Sequence, residues 1–206
     1  MPFYPKQGQK KVYDGGIVAG SLLVPESREI ARLLLAGEDK NAWNNAIMKG
    51  NILQKRSPET AKRQGRLIQK RLLLMKPEHW EMVAEGHTSL ATQAAMAAAV
   101  KHSHLIGDFM QSVVREHWQT FQKSISNSDW YHFMEICAQV DPRVEAWTEK
   151  TRAKLKQVVF RILAEAGYIQ STKSLLLQPV SIEPELRKSL DSNLETYVLK
   201  CLSATE

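Results

Sequence analysis

The chain of 206 residues carries 28 lysines and arginines against 22 aspartates and glutamates, a net charge of +6, and 43% of its residues are hydrophobic. This composition predicts one globular domain or two small subdomains and excludes a chain disordered over most of its length. No apolar run approaches the ~18–20 residues that span a bilayer, and no basic segment leads into an apolar one as in a secretory signal. We therefore expect a cytoplasmic protein with no membrane contact.

The first predicted elements are short. Residues 1–13 contain two prolines and are predicted to be extended or frayed. The apolar stretch 17–24 suits a short helix or a strand. A proline and a glycine then bracket a predicted helix over 26–36, and an aspartate caps a second one over about 40–48.

A third helix is predicted to start at Ser57, as N-cap, with Pro58 in the first helical position. It runs to about Met75, with a buried stripe at helical spacing formed by Ala61, Gly65, Ile68, Leu72 and Met75. Three helices of which the third is capped and basic predict a helix-turn-helix-like unit within an N-terminal subdomain over 1–76.

Residues 77–206 are predicted to form a C-terminal helical subdomain, so the fold class is all-α. The helices expected there cover 77–86, 90–121, 130–139, 142–166 and a final region from 184. Two short apolar runs, Tyr168–Gln170 and Leu175–Leu177, predict one small β-hairpin near 168–177. Because this hairpin follows a helix, we interpret it as resembling the wing of a winged-helix protein.

The strongest functional signal is the segment 55–71, which carries seven cations and one acid, a local charge of +6 that equals that of the whole chain. Four of these cations fall opposite the buried stripe at ~100° per residue. Cations neutralise phosphates, and arginine also reads guanine edges in the major groove. The predicted DNA-binding residues are therefore Lys55, Arg56, Thr60, Lys62, Arg63, Arg66 and Lys70, with Lys173 at the hairpin tip.

Two observations leave alternatives open. The link of nine residues from Lys49 to Ser57 is longer than the about three or four residues of a tight helix-turn-helix. A second, weaker basic stretch lies over 143–161, where two glutamates dilute its charge. A cationic helix face can also be a solvated surface without any partner.

No other pattern predicts chemistry. His104 and Asp108 share a helical face, but no further ligand has diagnostic spacing, so we predict no metal site. No phosphate loop, nucleophile elbow or zinc-protease motif occurs, and the carboxylates do not cluster. Cys137 and Cys201 are too few for a disulfide framework and are predicted to be reduced core residues. We predict a protein that is not an enzyme, with no cofactor.

Three strings resemble the BrxA family of BREX bacteriophage-exclusion systems: Y-D-G-G-I-V-A-G-S-L-L-V-P-E-S-R-E-I-A-R-L-L-L-A-G (13–37), N-I-L-Q-K-R-S-P-E-T-A-K-R (51–63) and R-I-L-A-E-A-G-Y-I (161–169). Length and order are similar as well. The resemblance implies a helical defence protein, compared in fold with the RNA-binding factor NusB, that binds double-stranded DNA. It also implies partners among the other BREX components. The family has carried an inner-membrane label, which no apolar run of this chain supports.

Three functions stay open at this point. The first is a double-stranded DNA-binding, non-catalytic accessory component of phage defence. The second is a protein-interaction scaffold whose basic face docks an acidic partner. The third is an RNA-binding module like NusB.

Overall fold

The computed structural model describes residues 13–206, so the extended segment predicted for residues 1–13 falls almost entirely outside the described residues. Within this range the chain is mostly helical. The helices of the N-terminal half are α1 (Val24–Leu35), α2 (Lys40–Asn44), α3 (Pro58–Leu72), α4 (Pro77–Glu85), α5 (Thr88–His102) and α6 (His104–Phe109). Those that follow are α7 (Arg115–Gln119), α8 (Asn127–Val140), α9 (Glu149–Glu165), α10 (Pro184–Ser192) and α11 (Thr196–Leu202).

Helix α5 lies at the centre of the fold. Its alanine-rich sequence is buried on nearly all sides, from Ala94 to Val100 without interruption. Small side chains let neighbouring helices approach closely, and α1, α3, α4, α10 and α11 all pack against α5. The all-α class predicted from the sequence is confirmed.

The first three helices pack as one group. Helix α2 continues into a π-helical turn, Asn45–Lys49, and both this turn and α1 contact α3. Gly65 of α3 marks where they meet, because a Cβ added there would lie 3.0 Å from Ile47 Cδ1 and 3.5 Å from Leu53 Cδ1. The absence of a side chain at Gly65 therefore allows the turn to sit directly on the helix backbone.

The helix predicted over 90–121 is interrupted. At Ser103 the backbone is extended, with φ −131° and ψ 103°, which ends α5 and starts α6. A π-helical turn, Met110–Val114, then separates α6 from α7. The bend brings Gly107 against Tyr197 of α11, so close that a Cβ at Gly107 would lie 2.2 Å from the Tyr197 hydroxyl. The prediction of one helix over 90–121 is therefore wrong, and the break falls in the polar run 101–104.

The predicted β-hairpin is wrong, and with it the winged-helix interpretation. Among the described residues there is no strand, only isolated antiparallel bridges of Leu177 with Ile169 and of Leu176 with Ser124. The chain reverses as expected, with Gln170 N–H donating to Leu176 O at 2.8 Å. However, residues 175–177 lie between two neighbouring segments and divide their backbone hydrogen bonds, so neither ladder extends.

Other boundaries shift by a few residues. The stretch 17–24 contributes to a 3-10 helix, Gly15–Ala19, and α9 starts only at Glu149, after Thr148 caps it. The final helical region is divided into α10 and α11 by Leu194, whose φ is 57°. These breaks are set by single residues whose conformation the hydrophobic spacing does not report.

One apolar cluster runs through the described part of the chain. It contains residues from both sides of the predicted subdomain boundary, such as Ile68 of α3 and Met82 of α4, together with the buried thiols of Cys137 and Cys201. The boundary at 76 and 77 falls in the tight turn between α3 and α4 and stays a prediction. None of the helices within 13–206 combines the length and the apolar character needed to cross a bilayer.

Candidate nucleic-acid interface

The start of α3 is fixed by side-chain hydrogen bonds. Ser57 Oγ accepts from the Thr60 backbone N–H at 3.3 Å and donates to Glu59, and Pro58 occupies the first helical position. The bond from Ser57 holds the pKa of the Glu59 carboxyl below its usual range. Cap and proline thus place the helix start where the sequence predicted it.

The link before α3 is ordered by a side chain that sequence reasoning missed. Asn51 lies in the left-handed region, with φ 45°, and its side chain spans the loop. Asn51 Oδ1 accepts from Lys55 N–H at 2.9 Å, and its Nδ2 donates to Lys55 O at 3.1 Å. Asparagine tolerates the left-handed conformation and bonds to nearby backbone groups. Its presence at position 51 is the one sequence signal that could have indicated an ordered turn here. The end of the long link is therefore a loop that the Asn51 side chain closes onto Lys55.

One face of α3 is exposed and cationic. Ala61, Gly65, Ile68 and Leu72 are buried, as predicted. On the opposite side four exposed cations recur at helical spacing: Lys62, Arg63, Arg66 and Lys70. A fifth exposed cation, Arg56, lies just before the N-cap Ser57. Within residues 13–206, none of these five forms an ion pair. We call these five residues the α3 face.

Two other cations of the segment are directed inward. Lys55 is ion-paired with Glu26 of α1, and both side chains are largely shielded from solvent. Arg71 is 3% exposed and donates through Nη1 to Ser21 O at 2.7 Å. Burial lowers the pKa of the Arg71 guanidinium to about 10, although Glu165 acts in the opposite direction. The local charge that the sequence reports is thus larger than the charge that the helix displays.

The remaining predicted residues lie beside or away from this face. Thr60 is half-buried in the first turn of α3. Lys173 is exposed in the turn after α9, in a loop whose following residues bond to the segment 123–125. The structure therefore places Lys62, Arg63, Arg66 and Lys70 on one exposed side of α3, with Arg56 before its cap, and it places Lys173 on a different loop.

The second basic stretch uses several of its cations internally. Arg143 forms a 2.6 Å ion pair with Asp141, and Arg152 donates to Val144 O at 3.2 Å. Lys156 lies over the Tyr131 ring, 5.0 Å from its centroid. Lys150, Lys154 and Arg161 stay exposed on α9. This surface offers fewer free cations than the α3 face.

The weak metal pattern does not develop into a site. Asp108 is buried and accepts hydrogen bonds from the hydroxyls of Tyr13, at 2.8 Å, and Tyr197, at 3.0 Å. His104 is exposed and packs against the Tyr197 ring. In the described part of the chain, no three His, Cys, Asp or Glu side chains are grouped to hold a metal ion. Asp108 instead connects the start of the described chain to α11.

Fold and face together define a helical protein with a cationic helix surface suited to a polyanionic partner. The BrxA family model matches residues 11–193. A protein of Paramagnetospirillum magneticum named BREX protein BrxA is 44% identical over 193 residues, 94% of this chain and 97% of that protein. A protein of Escherichia coli O9:H4 with the same name is 32% identical over 180 residues, 87% and 84% of the two chains.

A solved structure has the same fold. The crystal structure of an uncharacterized protein from Magnetospirillum magneticum superposes with a TM-score of 0.87 at 42% sequence identity, covering 93% of this chain and 98% of that one. The chain belongs to the BrxA family, as the three strings in its sequence indicated.

Proposed function

We propose that the protein binds double-stranded DNA through the α3 face and serves as a non-catalytic component of a BREX phage-defence system. The observation that carries the proposal is the set of four exposed cations on one side of a capped helix, with exposed Arg56 just before its cap, all five unpaired with any described residue. A major groove admits an α-helix, and lysine and arginine on its exposed side reach both phosphates and base edges.

In this proposal α1, α2 and α3 act as a helix-turn-helix-like unit. The π-helical turn and α1 hold the buried side of α3, and the first half of the helix enters the groove with Lys62 and Arg63 leading. Its N-terminus also favours a phosphate. Lys55 and Thr60 lie at this end and stay predicted contacts, although Lys55 already binds Glu26.

The defence role rests on the names of the relatives. Two relatives are named as BREX proteins, and the similarity covers nearly the whole chain. From this we infer that the protein acts in the cytoplasm together with other BREX components. In this proposal it contributes DNA binding and catalyses no reaction.

The test is binding of the purified chain to a labelled random duplex at about 50 mM salt. The variant Arg63→Glu/Arg66→Glu reverses two charges of the α3 face. Its matched control, Lys150→Glu/Lys154→Glu, reverses two exposed charges on α9. We expect the first variant to lose at least about tenfold in affinity and the control to keep most of it, with both retaining helical circular dichroism. A larger loss in the control would move the DNA surface to α9.

The same assay separates the two alternatives. Competition by an RNA duplex as strong as by DNA would favour the RNA-binding module, because A-form RNA closes its major groove to side chains. Absence of duplex binding by the wild type at low salt would contradict the proposal and favour the scaffold.

A further inference from the structure

The most exposed aromatic side chain of the described residues lies far from the α3 face in sequence. Phe121 follows α7 and is 93% exposed. Its backbone is left-handed, with φ 57°, in a helix-ending motif in which Gln122 N–H donates to His117 O at 2.8 Å. Glycine usually fills this position because a side chain there is strained. Phenylalanine is thus held in a strained conformation without intramolecular packing that would compensate for it.

Phe121 borders a groove of about 450 Å³. The apolar part of its lining is Trp118, Phe121, Leu176 and Leu177, and Leu176 is itself 40% exposed. The groove lies where the chain after α7 bonds to the turn after α9, through Leu177 N–H to Lys123 O at 2.9 Å. The wall is therefore built by two segments fixed to each other by backbone hydrogen bonds.

The polar lining indicates what the groove can take. The polar lining residues are Gln122, Lys123 and Gln178, with no aspartate or glutamate among the lining residues, and Gln178 Nε2 donates to Leu177 O at 3.0 Å. Lys173, also exposed, lies in the turn that precedes Leu176. An aromatic platform with amides and cations at its border matches a flat ring with hydrogen-bonding edges and an adjacent negative charge.

We propose that this groove binds an unpaired base of single-stranded nucleic acid. Phe121 stacks on the base, the Gln122 amide meets its edge, and Lys123 lies beside the phosphate that follows. Aromatic stacking combined with cations is the general means by which proteins hold single strands without sequence preference. A base that is paired and stacked in a duplex is not available to Phe121. The site is therefore separate from duplex binding by the α3 face.

The variant that tests this is Phe121→Gly. Glycine accepts the left-handed backbone at this position, so the change removes the ring and also relieves strain. The chain offers a matched control in Leu194→Gly, because Leu194 is 86% exposed and ends α10 with the same motif and φ 57°. Both variants are expected to fold and to raise the urea midpoint.

The measurement is anisotropy of a labelled oligothymidine of about 12 nucleotides at about 50 mM salt, with the duplex of the same length in parallel. Phe121→Gly should weaken single-strand binding by about 5- to 150-fold, the loss typical of removing one stacking aromatic, and leave duplex binding unchanged. Leu194→Gly should bind like the wild type. The proposal is overturned if the wild type does not bind the single strand, or if Phe121→Gly binds it as the wild type does. An equal loss for strand and duplex overturns it as well.

Discussion

At the scale of single residues, the buried imidazole of His79 links the pH to the stability of the fold. His79 of α4 is 1% exposed, and neither ring nitrogen has a hydrogen-bond partner among the described residues. Burial lowers the pKa of His79 below its usual 6.5, although Glu78 and Glu195 act in the opposite direction. The folded protein therefore holds this imidazole neutral at a pH where the unfolded chain is already protonated.

This difference predicts acid sensitivity. As pH falls through the usual histidine pKa of about 6.5, the unfolded state gains a proton before the folded state does, so the free energy of unfolding decreases, by at most about 1.4 kcal/mol per pH unit, until the pH reaches the lowered pKa of the folded state. His79→Gln removes the titrating group and should flatten this decrease, as measured by urea unfolding at several pH values. A slope equal to that of the wild type would place the acid sensitivity elsewhere, for example at half-buried His102, whose pKa burial also lowers.

Arg71 and Phe121 are two side chains whose surroundings the sequence did not predict. Arg71 falls in the cationic run, yet it lies at the edge of the buried stripe and turns inward to Ser21. Phe121 looked like an ordinary end of a helical region, because nothing in its neighbours reports a left-handed backbone. Charge counts and spacing describe a segment on average, whereas Arg71 depends on a contact with a distant part of the chain and Phe121 on its own backbone conformation.

At the scale of elements, the packing of the π-helical turn on α3 decides whether the first helices form one unit. The contact depends on Gly65, which lies under Ile47. Gly65→Ala gains about 1 kcal/mol of helix propensity but brings its new methyl to 3.0 Å from Ile47 Cδ1. Ile47→Val removes the Cδ1 methyl group of Ile47 and with it this close contact. We therefore predict that Gly65→Ala is better tolerated by about 1 kcal/mol in the Ile47→Val background.

A double-mutant cycle by urea unfolding measures this coupling. Its matched control is Ile30→Val, because Ile30 Cδ1 lies 3.9 Å from the same added methyl, an ordinary contact. That pair should be additive within about 0.5 kcal/mol. Equal coupling energies in the two cycles would show that the turn does not press on α3 at this point.

The capped start of α3 was predictable, whereas the breaks within predicted helices were not. Ser57 and Pro58 gave the start of α3 because a capping side chain and a proline act locally. The breaks at Ser103 and Leu194 are different, because the helices that follow them, α6 and α11, start without a side-chain cap. At Ser103 the break is linked to the close approach of Gly107 and Tyr197, a contact between residues far apart in sequence.

At the scale of the whole molecule, the all-α class followed from helical periodicity, and the predicted buried stripe of α3 is found in the core. The β-hairpin failed because its second segment bonds to two neighbours, one of them after α7, which no local pattern reveals. For the α3 face, the sequence predicted the sites of the cations, and the structure separates the five that are displayed from Lys55 and Arg71.

The five exposed cations of the α3 face predict how strongly DNA binding depends on salt concentration. Each phosphate contact lowers the slope of log K against log salt by about 0.9, so five contacts predict a slope of about −4.5 for duplex binding. The stretch 143–161 carries six cations and two glutamates, a net charge of +4 against +6 for 55–71, and it uses several of these cations internally. A slope set by specific contacts is therefore distinguishable from one set by overall charge.

DNA binding through the α3 face is best tested by the slope of log K against log salt between about 50 and 200 mM. We would measure it for the wild type, for Arg63→Gln/Arg66→Gln and for the control Lys150→Gln/Lys154→Gln. We predict a slope shallower by about 2 for the α3 variant and an unchanged slope for the α9 control. A wild-type slope near zero, or an α3 variant that keeps the wild-type slope, would contradict binding of DNA through the α3 face.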